Sequence, residues 1–213
     1  MPKKLLTNNE IYEILKERIV QLEYSPGEIL NENDIASEFE LSRTPVRKIF
    51  DKLKTNKLLI IIPRYGAQVA PIDFNYMKSV FEVVRQIEAF AARLAAERIS
   101  EKELNELEKI IDRLKNYNIE EDYKQIILDD GNFHRIIFDS CHNPCLSDIL
   151  HNLHMHTERL WFYVQKNITE IDLFIVTLSN ILSALKARDG GQAEYYAREH
   201  TDMFVEKIKE KLL

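Results

Sequence analysis

Residues 31–70 constrain the fold of this chain more than any other stretch, because signals for helix starts, turns and strands follow one another closely there. Asn31 can cap a first helix over 32–39, since its side-chain oxygen accepts hydrogen bonds from free backbone N–H groups. Ser42 is suited to cap a second helix that begins at Arg43. The stretch therefore predicts two short helices joined by a tight turn.

The second of these helices has one apolar face and one basic face. Its apolar residues recur at i, i+3, i+4 and i+7, as in a face that packs inward; they are Val46, Ile49, Phe50 and Leu53. Arg43 and Arg47 lie on the other face, within the first turn and a half. A guanidinium at this end of a helix can pair with guanine O6 and N7 in the DNA major groove. This pattern predicts a DNA-recognition helix.

Two strands are predicted after the second helix. Residues 58–62 are all leucine or isoleucine, which favours a strand, and residues 68–70 return as its partner. Arg64, Tyr65 and Gly66 form the turn between them. Two helices followed by such a hairpin describe a winged helix-turn-helix, with Arg64 at the tip of the wing.

The distribution of charge supports nucleic-acid binding although the whole chain has a net charge of −6. Residues 1–71 contain 11 Lys and Arg against 10 Asp and Glu, whereas residues 72–213 contain 18 against 25. Within residues 41–66 there are seven basic residues and one acidic residue. Binding to phosphate depends on such a local patch and not on the charge of the whole chain.

The rest of the chain is predicted to be an all-α bundle of about six helices, which makes the protein mainly α. We expect a DNA-binding domain over residues 1–71 and a helical domain over residues 72–213. No apolar run approaches the roughly 20 residues of a membrane span, so we expect a cytoplasmic protein without membrane contact. The predicted helices cover residues 73–98, 101–117, 120–139, 144–166, 170–188 and 191–212.

The first domain resembles the N-terminal domain of the GntR family of bacterial repressors over residues 8–71. The resemblance is carried by residues 25–27 (SPG), 30–36, 42–47 (SRTPVR) and 63–66 (PRYG). It implies DNA contacts by Arg43, Thr44, Arg47, Lys48, Lys52, Arg64 and Gly66. Leu22 and Lys57 stand where this family pattern has glycine, which concerns the local turns and not the recognition face.

The second domain resembles the ligand-sensing helical domain (FCD) of the FadR branch, in its shorter VanR-like form, over residues 75–209. The motifs are residues 84–88 (VRQIE), the alanines between 91 and 96, residues 130–134 (DGNFH), residues 143–144 and a closing segment that includes Ala184, Asp189, Ala193 and His200. The resemblance implies that this domain binds a small carboxylate effector and supplies the contacts of a homodimer.

A metal site is predicted from the spacing of Asp130 and His134, which are four residues apart on one helix face. The resemblance adds His200 and implies a divalent ion; Zn, Ni or Mn all accept this donor set. Leu178 stands where the family has a fourth, histidine ligand. His154 or His156 could replace that ligand. The alternative is that Asp130 and His134 form a buried pair without an ion.

Two arginines are candidates for binding the carboxylate of an effector. Arg85 lies on the first long helix of the second domain, where a buried guanidinium could hold a carboxylate through two hydrogen bonds. The alternative for this residue is an ion pair with Glu88 on the same helix. Arg159 has the same two interpretations.

The leading hypothesis is a ligand-responsive transcriptional regulator, most simply a repressor, that binds a pseudo-palindromic operator as a homodimer. One alternative is a metal-dependent enzyme that uses Asp130, His134 and His200. Another is a helical scaffold whose winged domain binds protein. Neither alternative explains why Arg43 and Arg47 should lie together at the start of a helix.

Overall fold

A computed structural model describes residues 6–164 and 171–212. The chain divides into two units, Met1–Asp73 and Phe74–Leu213. The boundary expected from the sequence lay after Pro71. Within the described ranges the protein is mainly helical, with nine helices and one small antiparallel sheet, which confirms the predicted fold class.

The three helices of the first unit begin at recognisable caps. They are α1 (Asn8–Val20), α2 (Glu32–Glu38) and α3 (Arg43–Thr55). Thr7 and Glu10 form a reciprocal capping box at α1, and the Asn31 side chain accepts from a backbone N–H at the start of α2, as predicted. Ser42 occupies the cap position of α3, but its side chain makes no cap hydrogen bond among the described residues.

The sheet of the first unit has three strands, whereas the sequence predicted two. It contains β1 (Ile29–Leu30), β2 (Leu59–Ile62) and β3 (Gly66–Val69) in the order β1-β3-β2. Ile29 pairs with Gln68 and Leu59 pairs with Val69, both antiparallel. The missed strand has only two residues, too few to show an alternating pattern.

Two residues of the first unit adopt left-handed backbone conformations where the family pattern has glycine. Leu22 has φ 58° and Lys57 has φ 57°. The backbone geometry of these turns is therefore the one that glycine would favour, although each side chain makes it less favourable by about 1–2 kcal/mol. Gly66 has φ 120°, and an added Cβ would lie 2.4 Å from the backbone oxygen of Leu30.

The second unit contains six helices in its described part, as the sequence predicted. They are α4 (Phe74–Arg98), α5 (Glu101–Leu114), α6 (Tyr123–Ser140), α7 (Pro144–Val164), α8 (Ile171–Lys186) and α9 (Gly190–Leu212). α5 ends three residues before its predicted end and α6 begins three residues after its predicted start. The predicted end of α7 and start of α8 fall within 165–170, outside the described residues.

Helix α4 is the centre of the second unit and packs against α6, α7, α8 and α9. Close packing is possible because much of its buried surface is alanine; the residues are Ala89, Ala91, Ala92, Ala95 and Ala96. The predicted capping box of Ser100 and Glu103 starts α5. Among the helices of the described ranges, none combines the length and the apolar composition of a membrane span.

Candidate nucleic-acid interface and candidate metal centre

The start of α3 presents its basic side chains to solvent. Arg43 and Arg47 have side chains that are 59% and 61% exposed, and Thr44 and Lys48 are also exposed. The opposite side of the helix is anchored by apolar residues that include Val46, which is fully buried. The apolar face thus anchors α3 within the first unit, while the basic residues of its first two turns are exposed.

Glu32 of α2 contacts both recognition arginines. Its carboxylate accepts from Nε of Arg47 at 2.9 and 3.1 Å and lies 3.4 Å from Nε of Arg43. This contact was missed in the sequence, because Glu32 is 15 residues before Arg47 and no local spacing connects them. The carboxylate brings the two guanidinium groups to one point.

The other predicted DNA contacts occupy two different environments. Lys52 leans onto α1, where its Nζ donates to Asn9 Oδ1 at 3.1 Å and lies 3.6 Å from the centre of the Tyr12 ring. Arg64 is exposed in the turn between β2 and β3, with φ 73°. Gly66 is the first residue of β3.

A small polar cavity lies among α4, α6, α7 and α9. Its volume is about 30 Å³, which is enough for an ion or a water molecule. Apolar walls include Phe81, Val84, Trp161 and Phe204. The polar residues that line it are Glu88, Asp130, His134, His154, Thr157, Glu158, His200 and Thr201, and all of them are buried. An organic acid could enter only if lining side chains moved.

The structure brings the three predicted metal ligands together. The ligand atoms of Asp130, His134 and His200 all lie within 4.8 Å of one another. Nε2 of His134 lies 3.2 Å from Nε2 of His200 and 3.7 Å from Asp130 Oδ2. Nε2 of His200 lies 3.8 Å from Asp130 Oδ1. One helix turn of α6 and a single residue of α9 thus supply three donors that face one point.

These separations fit a divalent ion. Two nitrogens bonded to one tetrahedral Zn²⁺ at 2.0–2.1 Å lie about 3.3–3.4 Å apart, close to the separation of the two imidazole nitrogens. Within the described residues Asp130 Oδ1 is buried without a hydrogen-bond partner, which is costly unless a cation or proton compensates it. The donor set of one carboxylate and two imidazoles suits Zn, Ni or Mn.

Hydrogen bonds fix the tautomer of His200. The hydroxyl of Thr177 donates to the backbone oxygen of Phe174 at 3.0 Å, so its oxygen accepts from Nδ1 of His200 at 2.8 Å. The lone pair of His200 is therefore on Nε2, the nitrogen that faces His134 and Asp130. This arrangement is the usual one for a histidine that binds a metal.

Burial sets the protonation of the cluster. It lowers the pKa of His134 to about 3 and that of His200 to about 4, with further lowering by nearby His154. Burial, together with the carboxylates of Glu88 and Glu158, raises the pKa of Asp130 well above its usual range. The imidazoles are therefore neutral at neutral pH, as metal ligands must be.

The two arginines predicted to bind an effector lie elsewhere among the described side chains. Arg85 is half-buried and not buried; its guanidinium pairs with Asp202 of α9, including an Nη2–Oδ2 contact of 2.7 Å, and not with Glu88. Arg159 is buried, and burial lowers its pKa to about 10. Leu178 is fully buried. None of these three residues lines the cavity in the described part of the chain.

The sequence did not place Glu88 or Glu158 in the cavity, and it named His154 only as one of two possible replacements for the fourth ligand. Glu88 follows Val84 by four residues on the apolar face of α4, so a charge within an apolar stripe was a usable signal. Glu158 and His154 lie on α7, where most residues of the second half are buried. No periodic pattern marks the side of α7 that faces the cavity, because the second half of this helix is buried on nearly all sides.

Two family models match the chain. Residues 7–69 match the model described as bacterial regulatory proteins, gntR family, and residues 79–203 match the FCD domain. The second match alone covers more than half of the sequence. The chain belongs to the GntR family. This GntR-family protein is a transcriptional regulator, and the alternative of a metal-dependent enzyme is wrong.

Individual relatives agree with this assignment along nearly the whole chain. The HTH-type transcriptional repressor RspR of Escherichia coli K12 is 30% identical over 207 residues, which cover 95% of this chain and 89% of the relative. The galactonate operon transcriptional repressor of the same organism is 26% identical over 220 residues, covering 92% and 94%. The solved structure of E. coli McbR/YncC has the same fold, with a TM-score of 0.86, 21% identity and coverage of 97% and 98%.

Proposed function

We propose that this GntR-family regulator represses transcription in the cytoplasm by binding a pseudo-palindromic operator as a homodimer. The observation that carries the proposal is the pair of exposed arginines, Arg43 and Arg47, at the start of α3. One recognition helix reads only a few base pairs, so two copies are needed for specificity. RspR and the galactonate relative are both named repressors.

The proposed DNA contacts divide into two kinds. Arg43 and Arg47 read bases, because guanidinium groups pair with guanine through two hydrogen bonds. The remaining contacts fix the position on the phosphate backbone. They are made by Thr44, Lys48, Lys52, Arg64 and Gly66. Lys52 must leave its contacts with α1 to take part.

The double variant Arg43→Ala/Arg47→Ala tests this proposal. Duplexes selected from a random pool by the wild-type protein serve as the operator, and anisotropy measures binding. We expect the double variant to lose at least about 100-fold in operator affinity, since each base-reading pair contributes about 1–3 kcal/mol. Lys102→Ala is the control, because this lysine is 87% exposed on α5. Unchanged operator affinity in the double variant would refute the proposal.

We also propose that Asp130, His134 and His200 hold one divalent ion, Zn, Ni or Mn. Support comes from the convergence of their ligand atoms and from the partnerless Asp130 Oδ1 within the described residues. When bound, the ion supplies a positive charge that can coordinate a carboxylate. Protein purified without chelator should contain about one equivalent of metal, and His134→Ala should contain none. Equal metal contents in the two proteins would exclude this site.

The proposed effector is a small carboxylate such as a sugar or other organic acid. The galactonate relative is named for the operon of a sugar acid. Arg85 would exchange Asp202 for the effector, and Arg159 would supply a second cation. Binding is proposed to change the separation of the two recognition helices in the dimer. Calorimetry and anisotropy test this together: an acid that binds but leaves operator affinity unchanged would disprove the coupling.

A further inference from the structure

The ring of His154 on α7 lies as close to the ring of His134 as the ring of His200, a predicted ligand, does. The ring centre of His154 lies 5.1 Å from that of His134, with an angle of 42° between the ring planes. The ring of His200 has the same distance and the same angle to His134. His134 is therefore flanked by two equivalent imidazoles, of which only one belongs to the predicted ligand set.

The hydrogen bonding of His154 also repeats that of His200. The hydroxyl of Thr157 donates to the backbone oxygen of His154 at 2.9 Å and lies 3.4 Å from Nδ1 of the same residue. In the His200 arrangement, the hydroxyl of Thr177 likewise donates to a backbone oxygen three residues earlier and contacts Nδ1. In both cases the threonine can only accept from Nδ1, which leaves the lone pair on Nε2.

The second ring nitrogen of His154, Nε2, makes no hydrogen bond in the described part of the chain. Nε2 is buried without a hydrogen-bond partner, and the residue lines the cavity. On the other side of the ring, Nδ1 lies 3.8 Å from Glu88 Oε1. A carboxylate near Nδ1, and an Nε2 without a partner on a residue that lines a cavity, are the features expected of a metal-binding histidine with its supporting acid.

We infer that Nε2 of His154 is the fourth protein ligand of the ion held by Asp130, His134 and His200, in place of the histidine that Leu178 replaces. This inference rests on the metal site proposed above. It requires the imidazole to move inward, because the set of ligand atoms within 4.8 Å of one another does not include His154. The unused nitrogen loses no hydrogen bond in that movement.

With His154 as the fourth ligand, the ion connects a different group of helices than it would with a histidine at position 178. With His154 the donors come from α6, α7 and α9, whereas a histidine at position 178 would have lain on α8. Glu88 of α4 is then a positioning residue, since it orients the imidazole of His154 and does not touch the ion. A site of one carboxylate and three imidazoles still leaves open positions on an octahedral ion for water or an effector carboxylate.

The test is a Co²⁺ titration of the full chain after removal of metal by chelator. Visible absorption of Co²⁺ reports its coordination number and ligands, and competition with a chelating dye gives its affinity. His154→Ala is compared with His156→Ala, a buried histidine on the same helix whose ring contacts Tyr76 edge-on at 5.5 Å. His156 does not line the cavity in the described ranges. His134→Ala reports on the site as a whole.

We expect one equivalent of Co²⁺ in the wild type, at least about a 10-fold loss of affinity with altered bands in His154→Ala, and less than about a 3-fold change in His156→Ala. If His134→Ala abolishes binding while His154→Ala keeps the wild-type affinity and bands, the inference is wrong but the metal site stands. If the wild type binds no Co²⁺, both fail. His154→Gln, which keeps a polar side chain, gives the same comparison should the alanine variant not fold.

Discussion

The start of α3 and the cavity of the second unit are both clusters of ionisable side chains, but burial separates them. Arg43 and Arg47 are more than half exposed and share one acidic partner, Glu32. In the cavity, Asp130 and His200 are buried, and burial displaces both pKa values. The arginines of α3 are charged and open to solvent, so a negatively charged partner can reach them. Burial instead favours the neutral forms of Asp130 and His200 in the cavity.

Substitutions in the two regions should therefore affect different properties of the protein. Because the arginines of α3 lie in water, replacing them should change DNA binding and leave the free energy of unfolding nearly unchanged. Because the cavity groups lost their hydration on folding, changing their protonation or binding an ion to them should change the free energy of unfolding directly. The predictions below test that division, beginning with the largest expected effect.

Metal-free protein should lose stability as the pH falls from about 6.5 towards 4. The unfolded chain takes up protons on histidine near pH 6.5, while folded His134 and His200, whose pKa values are about 3 and 4, resist protonation. The contribution of these two histidines to the free energy of unfolding is fully present above pH 6.5 and decreases as the pH falls below it. The raised pKa of Asp130 acts in the opposite direction. A pKa that differs by one between the folded and unfolded states corresponds to about 1.4 kcal/mol.

Urea unfolding between pH 7 and pH 4.5 measures this loss. His200→Gln has no group that titrates at this position, so its free energy of unfolding should fall less steeply with decreasing pH than that of the wild type. Identical slopes would mean that His200 is as easily protonated in the folded protein as in the unfolded chain. The cavity would then be more hydrated than its burial indicates.

Asp129 and Asp130 are adjacent and provide a matched pair of substitutions. The carboxylate of Asp129 accepts from Arg113 at 2.6 and 2.8 Å and from Tyr117 at 3.0 Å. Asp129→Asn should cost about 1–2 kcal/mol, the value for hydrogen bonds to a charged group reduced because Arg113 is half exposed. Asp130→Asn should cost almost nothing in metal-free protein, since it removes an acid whose buried Oδ1 has no partner within the described residues.

Thermal unfolding with and without Zn²⁺ distinguishes the two aspartates. Zn²⁺ should raise the Tm of Asp129→Asn as it does for the wild type, because the metal ligands remain. It should not raise the Tm of Asp130→Asn. A large loss of stability in metal-free Asp130→Asn would show that its carboxyl group has a partner within the fold.

Glu32→Gln should increase binding to DNA of random sequence by about 3-fold. The substitution removes a negative charge beside Arg43 and Arg47, worth about 0.5–1 kcal/mol for an exposed ion pair. Anisotropy at several salt concentrations measures this. Weaker binding to both operator and random DNA would instead show that Glu32 holds the arginines in position for binding.

Lys57→Gly should stabilise the first unit by about 0.5 kcal/mol. A residue with a side chain costs about 1–2 kcal/mol in the left-handed conformation, and glycine removes this cost. Glycine also makes the unfolded chain more flexible, which lowers the free energy of unfolding by about 0.4–1 kcal/mol. Lys57→Ala is the control, since alanine keeps the cost of φ 57°. Equal stability of the two variants in urea would show that backbone conformation does not decide the effect.

The features that could be predicted from the sequence are those that depend on residues close together along the chain. The caps of α2 and α5, the recognition helix and the i, i+4 pair of Asp130 and His134 follow from spacing along one element. The convergence of His200 on that pair was implied by the family resemblance alone. The residues that could not be predicted depend on how elements pack against one another.

Glu32, His154 and Glu88 illustrate that limit. The contact between Glu32 and Arg47 depends on the angle between α2 and α3, and neither helix encodes that angle. The direction of His154 depends on the rotation of α7 about its own axis, which the second half of this helix, buried on nearly all sides, does not reveal. Glu88 approaches His154 only because α4 lies against α7.

Gly66 limits how the wing can vary during evolution. Its φ is 120°, and a Cβ at this position would come within 2.4 Å of the Leu30 oxygen, so no side chain has room. Arg64 and Tyr65, in contrast, are exposed in the turn just before it. A library that randomises the wing should therefore return glycine at position 66, many residues at position 65, and at position 64 a preference for glycine or asparagine because Arg64 has φ 73°. New DNA preferences can arise at the wing tip without disturbing the strand that carries it.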